Sequence, residues 1–146
     1  MRSSLLVFTA CLLTTELVAC KSKKQILISQ IWRDDVEQLT QTYLSVLSEE
    51  ERAAVVKEPQ NLERMQQESA QERYHFDADG IFMRSSDNGA SWYEAGRWQL
   101  LDNRLVVGKD TVWVKKISKK RIVFYMKPAD HSKIKEPAKF ILLPVR

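Results

Sequence analysis

The sequence predicts a mainly β chain with a helical insertion near its N-terminus (α+β), its roughly eight short strands forming an antiparallel barrel or a closed sandwich. Three observations carry that expectation. Beyond Glu72, apolar and aromatic residues alternate with polar ones in short runs, the period of half-buried strands. Turn signals such as Asp77-Ala78-Asp79-Gly80, Asp102-Asn103 and Ser118-Lys119-Lys120 separate those runs. Residues 34–71 instead repeat their apolar positions at three- and four-residue steps, as one face of a helix does. The 146 residues bound the chain to one folded domain.

Before that domain, Arg2 precedes an apolar run from Leu5 to Leu13, followed by small residues. This is the layout of a secretory signal, too short to span a bilayer. Its end, Leu17-Val18-Ala19-Cys20, resembles the lipobox of bacterial lipoproteins. The resemblance implies cleavage before Cys20, acylation of its thiol and its new amino group, and membrane attachment through those chains. The expected organisation is a signal peptide over 1–19, a lipidated tether over 20–23, and one domain over 24–146 with its helical segment at 34–71. Cys11, the other cysteine, falls in the discarded segment, so the mature chain is expected to hold no disulfide and no cysteine metal site. Lys21 stands where Asp would be the usual inner-membrane retention signal, and Lys21–Lys24 lacks the acidic run of surface-exported lipoproteins. Both point to the outer membrane of a Gram-negative bacterium, on its periplasmic face.

The elements follow in order. Residues 25–32, QILISQIW, are apolar and β-branched enough for a first strand. From Asp34, which with Asp35 offers a cap, Val36, Leu39, Tyr43, Val46 and Leu47 mark a helix face. Ser48 with Glu51 has the capping-box spacing for a second helix, Pro59 ends or kinks it, and Leu62 and Met65 continue at helical spacing. Tyr74 and Phe76 open the β region, and Ile81–Ser85 forms the next strand. The strand Ser91–Leu101 puts Trp92, Glu94, Gly96, Trp98 and Leu100 on one face by strict alternation. Arg104–Val107, Thr111–Ile117 and Arg121–Lys127 follow. A loop bounded by Pro128 and Pro137 leads to the last strand, Lys139–Val145. Trp92, Trp98, Val112, Val114, Ile122, Phe124 and Met126 are expected to point inward, where they either fill the barrel or line a shallow pocket.

Read as an ordered set, F-x-x-D-G at Phe76–Gly80, G-x-W at Gly96–Trp98 and L-x-V at Leu105–Val107 resemble the bacterial lipocalin-like lipoproteins over residues 24–146. One departure stands out: Ser29-Gln30-Ile31-Trp32 lacks the Gly that such proteins place two residues before the Trp. The resemblance implies a small lipocalin-like β-barrel and brings no catalytic residues with it.

Ser85–Trp92, SSDNGASW, fits the Asp-box pattern S-x-D-x-G-x-x-W of sialidase propeller blades. A propeller needs four or more blades and this chain is too short for them, so the octapeptide reads as a hairpin turn with a Trp behind it. His75 and His131 lie on different segments without metal-ligand spacing, and Asp77 with Asp79 reads as a turn rather than a calcium loop. Glu94, between two Trp residues, either pairs with an Arg, contacts a ligand, or is swung outward by a bulge near Gly96. Charge is segregated: residues 34–79 hold 12 acidic and 4 basic side chains, whereas residues 104–146 hold 12 basic and 3 acidic. The densest basic run, Lys115–Arg121, is either a solvated hairpin tip or a contact for anionic headgroups or another polyanion. Nucleic acid is not expected as a partner of an exported protein.

No catalytic set, metal site or cofactor is expected. The leading expectation is a non-enzymatic, membrane-anchored binding module for a small apolar or amphipathic ligand. Cys20 takes the lipid, and Trp92, Glu94, Trp98, Phe124 and Met126 form the pocket or core. The alternative is a structural or assembly lipoprotein contacting a protein partner, and a glycan-active protein, from the single Asp-box, is remoter still.

Overall fold

A computed structural model describes residues 23–127 and 136–146. The expected signal peptide 1–19, Cys11, Cys20 with its tether up to residue 22, Pro128 and His131 lie outside the described residues. Eight strands form one closed antiparallel barrel in chain order: β1 (Ile31–Asp34), β2 (Arg73–Phe76), β3 (Ile81–Ser85), β4 (Tyr93–Leu101), β5 (Arg104–Val107), β6 (Asp110–Ser118), β7 (Arg121–Met126) and β8 (Ala138–Pro144). Closure is made by β8 returning to β1, with Trp32 opposite Pro144 and Asp34 opposite Leu142. A closed sheet leaves no unpaired edge, which is how strands of only four to nine residues hold together. Of the barrel and the sandwich that the strand spacing leaves open, this is the barrel, the lipocalin-like form that the resemblance implies.

The first element departs from expectation. Residues 23–28 form a helix, α1, and the strand begins only at Ile31. An apolar run of this length does not distinguish a strand from a buried helix, and tertiary contacts decide it. Leu27 is fully buried against Trp32, whose indole N–H donates to the Leu27 carbonyl at 3.0 Å. The Ser29 amide donates to the Gln25 carbonyl at 3.0 Å and its hydroxyl to that of Ile26 at 3.1 Å, which closes the helix before Gln30. Ile26 and Ile28 pack beside Leu27 against the core. α1 therefore plugs one end of the barrel.

Three helices occupy the expected insertion. α2 (Val36–Val46) is capped by Asp35, whose carboxylate accepts from the Gln38 amide at 3.2 Å. α3 (Glu49–Lys57) carries the full capping box: the Glu51 amide donates to Ser48 Oγ at 3.2 Å, and the Ser48 amide donates to Glu51 Oε2 at 2.7 Å. Pro59 separates α3 from α4 (Pro59–Gln71) by standing at the start of α4, where its missing N–H costs nothing. Thr42 Oγ1 donates to the Lys139 carbonyl at 2.8 Å, and Gln66 Nε2 to Thr40 Oγ1 at 3.1 Å, so α2 rests on β8 and α4 on α2. None of α2–α4 buries a residue completely, and the excursion forms an outer layer.

Inside the barrel, Trp32, Phe76, Trp98, Leu105, Val112, Ile122 and Leu142 meet Leu27 in one buried cluster. Phe76 and Trp98 pack edge to face at 5.3 Å, a favoured aromatic geometry. The Trp98 indole N–H donates to the Asp77 carbonyl at 2.9 Å, so the F-x-x-D-G turn and the G-x-W strand are one unit. Gly80, at φ +81°, lets the Trp98 amide reach its carbonyl at 2.9 Å.

Two bulges reset the alternation. On β4, Phe82 pairs with Gly96 but Met83 pairs with Glu94, leaving Ala95 as the extra residue. Side chains before Ala95 therefore change faces relative to strict alternation. This corrects the expected inward position of Trp92, and it gives Glu94 the outward place that a bulge near Gly96 offered as one of its three alternatives. On β6, Val114 pairs with Phe124 and Lys116 with Val123, so Lys115 is extra and Ile117 returns inward opposite Ile122.

Candidate barrel-mouth site

The end opposite α1 carries the α2–α4 excursion, the SSDNGASW turn and the turn at Gly108. Inward side chains toward this end are half-buried rather than buried: Tyr74, Val107, Phe124 and Phe140, with Met126 at the rim 39% exposed. Their alternation with outward neighbours follows from the cross-strand pairs Phe124–Phe140 and Met126–Ala138. Tyr74 and Phe82 stack at 6.1 Å, Phe82 tilts against Phe76 at 5.1 Å, and Phe124 stacks on Phe140 at 5.6 Å. Half-buried aromatics near the mouth thus continue, through Phe82, into the buried Phe76 and Trp98.

A polar group shares this lining. The Tyr74 hydroxyl donates to Asp34 Oδ2 at 2.9 Å, and the Arg84 guanidinium donates to Glu72 Oε2 at 3.0 Å while lying 5.7 Å from the Tyr74 ring centroid. Ser86 Oγ donates to the other Glu72 oxygen at 3.0 Å. Arg84 Nε is buried and meets no acceptor among the described residues. Burial pushes the Asp34 carboxyl up, against the Tyr74 hydrogen bond that favours its charged form. Burial also pushes the Tyr74 hydroxyl up, and the adjacent Asp34 adds to it, so the hydroxyl stays a donor. For Arg84 burial acts downward, but the Glu72 hydrogen bond and charge outweigh it. The mouth thus offers apolar contact, a permanent cation and one unpaired N–H.

Of the expected site residues, Trp98 is inside and 6% exposed, Phe124 lines the mouth and Met126 stands at its rim. Trp92 instead lines an outer cleft of about 360 Å³ with Ile31, His75, Asp77, Ile81 and Met83, edge-on to the His75 ring at 6.3 Å. Glu94 is exposed on the outer face opposite Met83. Cys20 lies outside the described residues. Asp34, Glu72, Tyr74 and Arg84 escaped the sequence reading, although one signal was present: Arg84 shares the inward parity of Phe82.

The Asp-box octapeptide is a turn built around one carboxylate. Asp87 accepts from Ser85 Oγ at 2.6 Å, from Ser91 Oγ at 2.6 Å and from the Ser91 amide at 2.9 Å. These bonds, Ser85 first, hold its carboxyl down at about 2. Asn88 and Gly89 take φ +59° and +89°, as the turn reading requires. Compared with known proteins, the chain matches no family model, no curated protein and no solved structure.

Proposed function

We propose that the protein is a non-enzymatic binding module, held at the periplasmic face of an outer membrane by acyl chains on Cys20, whose barrel mouth takes a small apolar or amphipathic ligand. One observation carries the ligand half of this reading. Packing grades from a fully buried middle at Trp32, Phe76 and Ile122 to half-buried, mutually stacked aromatics at the mouth, where Arg84 keeps an unused donor. An eight-stranded barrel either fills with its own side chains or holds one small ligand. Here the middle is filled, so the ligand sits shallowly, its apolar part against Tyr74, Phe124 and Phe140. Its polar end accepts from Arg84.

The anchoring half rests on Leu17-Val18-Ala19-Cys20. Cys20 precedes the first described residue, Lys23, by three positions, a reach of about 10 Å fully extended. Lipidation there would hold the α1 end toward the bilayer and leave the mouth facing away from it.

A fatty-acid and lipid panel tests the ligand. A true ligand gives saturable changes in Trp fluorescence and a melting temperature that rises with its concentration, as linkage requires. Silence across the panel removes the reading. A fatty-acid probe tests the anchor: label is expected on the wild type and lost in Cys20→Ser, and label persisting on the variant overturns it. A second reading, a docking role toward a protein partner, draws on the groove among α2, α3 and α4. There Val56 is 79% exposed beside Leu44, Val55 and Leu62.

A further inference from the structure

The outer wall carries a second, chemically different concavity. It is a cleft of about 700 Å³ floored by the last residues of β8 and walled by Gln30, Arg33, Arg73, Lys119, Lys120 and Arg146. Five cationic side chains share it, and no acidic side chain lines it among the described residues. Such a concentration of like charge raises the local potential and draws anions.

Two further features make this cleft more than a field. Gln30 Nε2 and Arg73 Nε are buried donors that meet no acceptor among the described residues. The remaining Arg73 nitrogens are engaged, donating to the carbonyls of Ala70 at 2.8 Å and Glu72 at 2.7 Å and to Asn88 Oδ1 at 2.7 Å, so the guanidinium is held in place. The Lys119-Lys120 turn is fixed by Ser118, whose Oγ donates to the Arg121 carbonyl at 3.0 Å and accepts from the Arg121 amide at 3.2 Å.

The other basic surface of the barrel, which also carries Lys116, Arg121 and Lys139, differs in having no buried, unpartnered donor among the described residues. On the outer face of β6 and β7, Lys127 lies 4.7 Å from the Trp113 ring centroid and Lys115 lies 6.0 Å from that of Tyr125. Those two cations already have ring partners. Arg33, Lys119, Lys120 and Arg146 have neither ring nor carboxylate partners among the described residues.

A cleft with five cationic side chains and two buried, unpartnered N–H donors complements a group with several acceptor oxygens and more than one negative charge. It is also far larger than one inorganic anion, which leaves room for the body to which that anion is attached. We propose that this cleft binds a phosphate ester. The ester is either a soluble metabolite or the headgroup of an anionic phospholipid. The site is independent of the barrel mouth: it lies on the opposite face of the strands and uses none of the same side chains.

Vesicle flotation of the full chain tests this, using phosphatidylcholine vesicles with and without phosphatidylglycerol, and glycerol phosphate as a soluble competitor. Any apolar N-terminal segment contributes equally to both vesicle types, so the preference for phosphatidylglycerol reads charge. Lys119→Glu with Lys120→Glu is expected to cut that preference about tenfold or more. Lys57→Glu, an exposed charge reversal on α3 away from the cleft, leaves it unchanged. Gln30→Leu alters no charge and is expected to weaken binding about threefold, which a diffuse field would not show. Competition by glycerol phosphate identifies a soluble ester as the ligand, and preference without competition identifies the headgroup. Equal losses in Lys57→Glu and the double variant overturn the proposal, as does the absence of both preference and competition. The melting temperature of each variant checks that it folds.

Discussion

Ser85, Asp87 and Ser91 show how one carboxylate organises a turn, and Asp34 shows the opposite use of the same group. Asp87 is held down by hydroxyl and amide donors, whereas Asp34 is pushed up by burial. Their signs in the pH dependence of stability are therefore opposed. The Asp87 contribution is complete above its unfolded value of 3.8 and is lost as pH falls toward about 2. The Asp34 contribution is complete below 3.8 and is lost as pH rises through its higher folded value. Thermal melts across acidic and neutral pH are expected to show that Asp87→Asn flattens the acid limb. Asp34→Asn is expected to flatten the decline above it. An acid limb unchanged in Asp87→Asn would mean that the Ser–Asp–Ser bonds do not stabilise the turn. Gly89→Val is expected to cost about 1–2 kcal/mol by straining a positive φ, read as a lower melting temperature. Residue identity made this turn legible, because Asp, Asn and Gly each have a defined local role. Trp92 was not placed correctly, because strict alternation breaks at Ala95, where a bulge moves the side chains before it to the other face. For Glu94, the cost of burying a carboxylate between two Trp residues, with Gly96 beside it, did signal that a bulge was one way out.

At the scale of elements, the helical insertion was legible from its caps and the strands after Glu72 from alternation. Asp35, Ser48 with Glu51, and Pro59 mark the helix boundaries where the structure has them. α1 was not legible. QILISQIW contains apolar residues at spacings that suit either period, and only the burial of Leu27 under Trp32 resolves it. That makes α1 a plug whose worth can be measured. Leu27 is 0% exposed, so Leu27→Ala removes a buried side chain and leaves a cavity, at an expected cost of about 2–5 kcal/mol. Denaturant melts of the wild type and variant measure it. A cost near zero would show that α1 rests on the barrel without closing it. Removal of the Trp32 indole donor by Trp32→Phe tests the same contact from the other side, since it frees the Leu27 carbonyl that caps this joint.

For the whole molecule, charge and packing are both distributed unevenly. The acidic helices and the basic strands β5–β8 are separated by β2–β4, and among the described residues the ion pairs Arg64–Glu68 and Arg84–Glu72 join none of α2, α3 and α4 to those strands. The helices meet β8 through Thr42 and the Lys139 carbonyl instead, which leaves the basic wall available to an outside anion. Packing divides the interior in the same way, into a filled middle and an adaptable mouth, and a pair of substitutions separates the two. Trp98 is 6% exposed and in edge contact with Phe76, so Trp98→Ala is expected to cost about 3–5 kcal/mol through the cavity it leaves. Phe124 is half-buried and shares its contact mainly with Phe140, so Phe124→Ala gives up less burial, about 1.5–2.5 kcal/mol at most. Ligand affinity is expected to rank the pair in the reverse order. Phe124→Ala removes a surface that the ligand would touch, whereas Trp98→Ala changes a floor already covered by protein. Denaturant melts give the first ranking, and ligand-dependent melting shifts give the second. If Trp98→Ala were the milder change in stability, the middle of the barrel would be loosely packed. The ligand would then belong deep inside it rather than at the mouth.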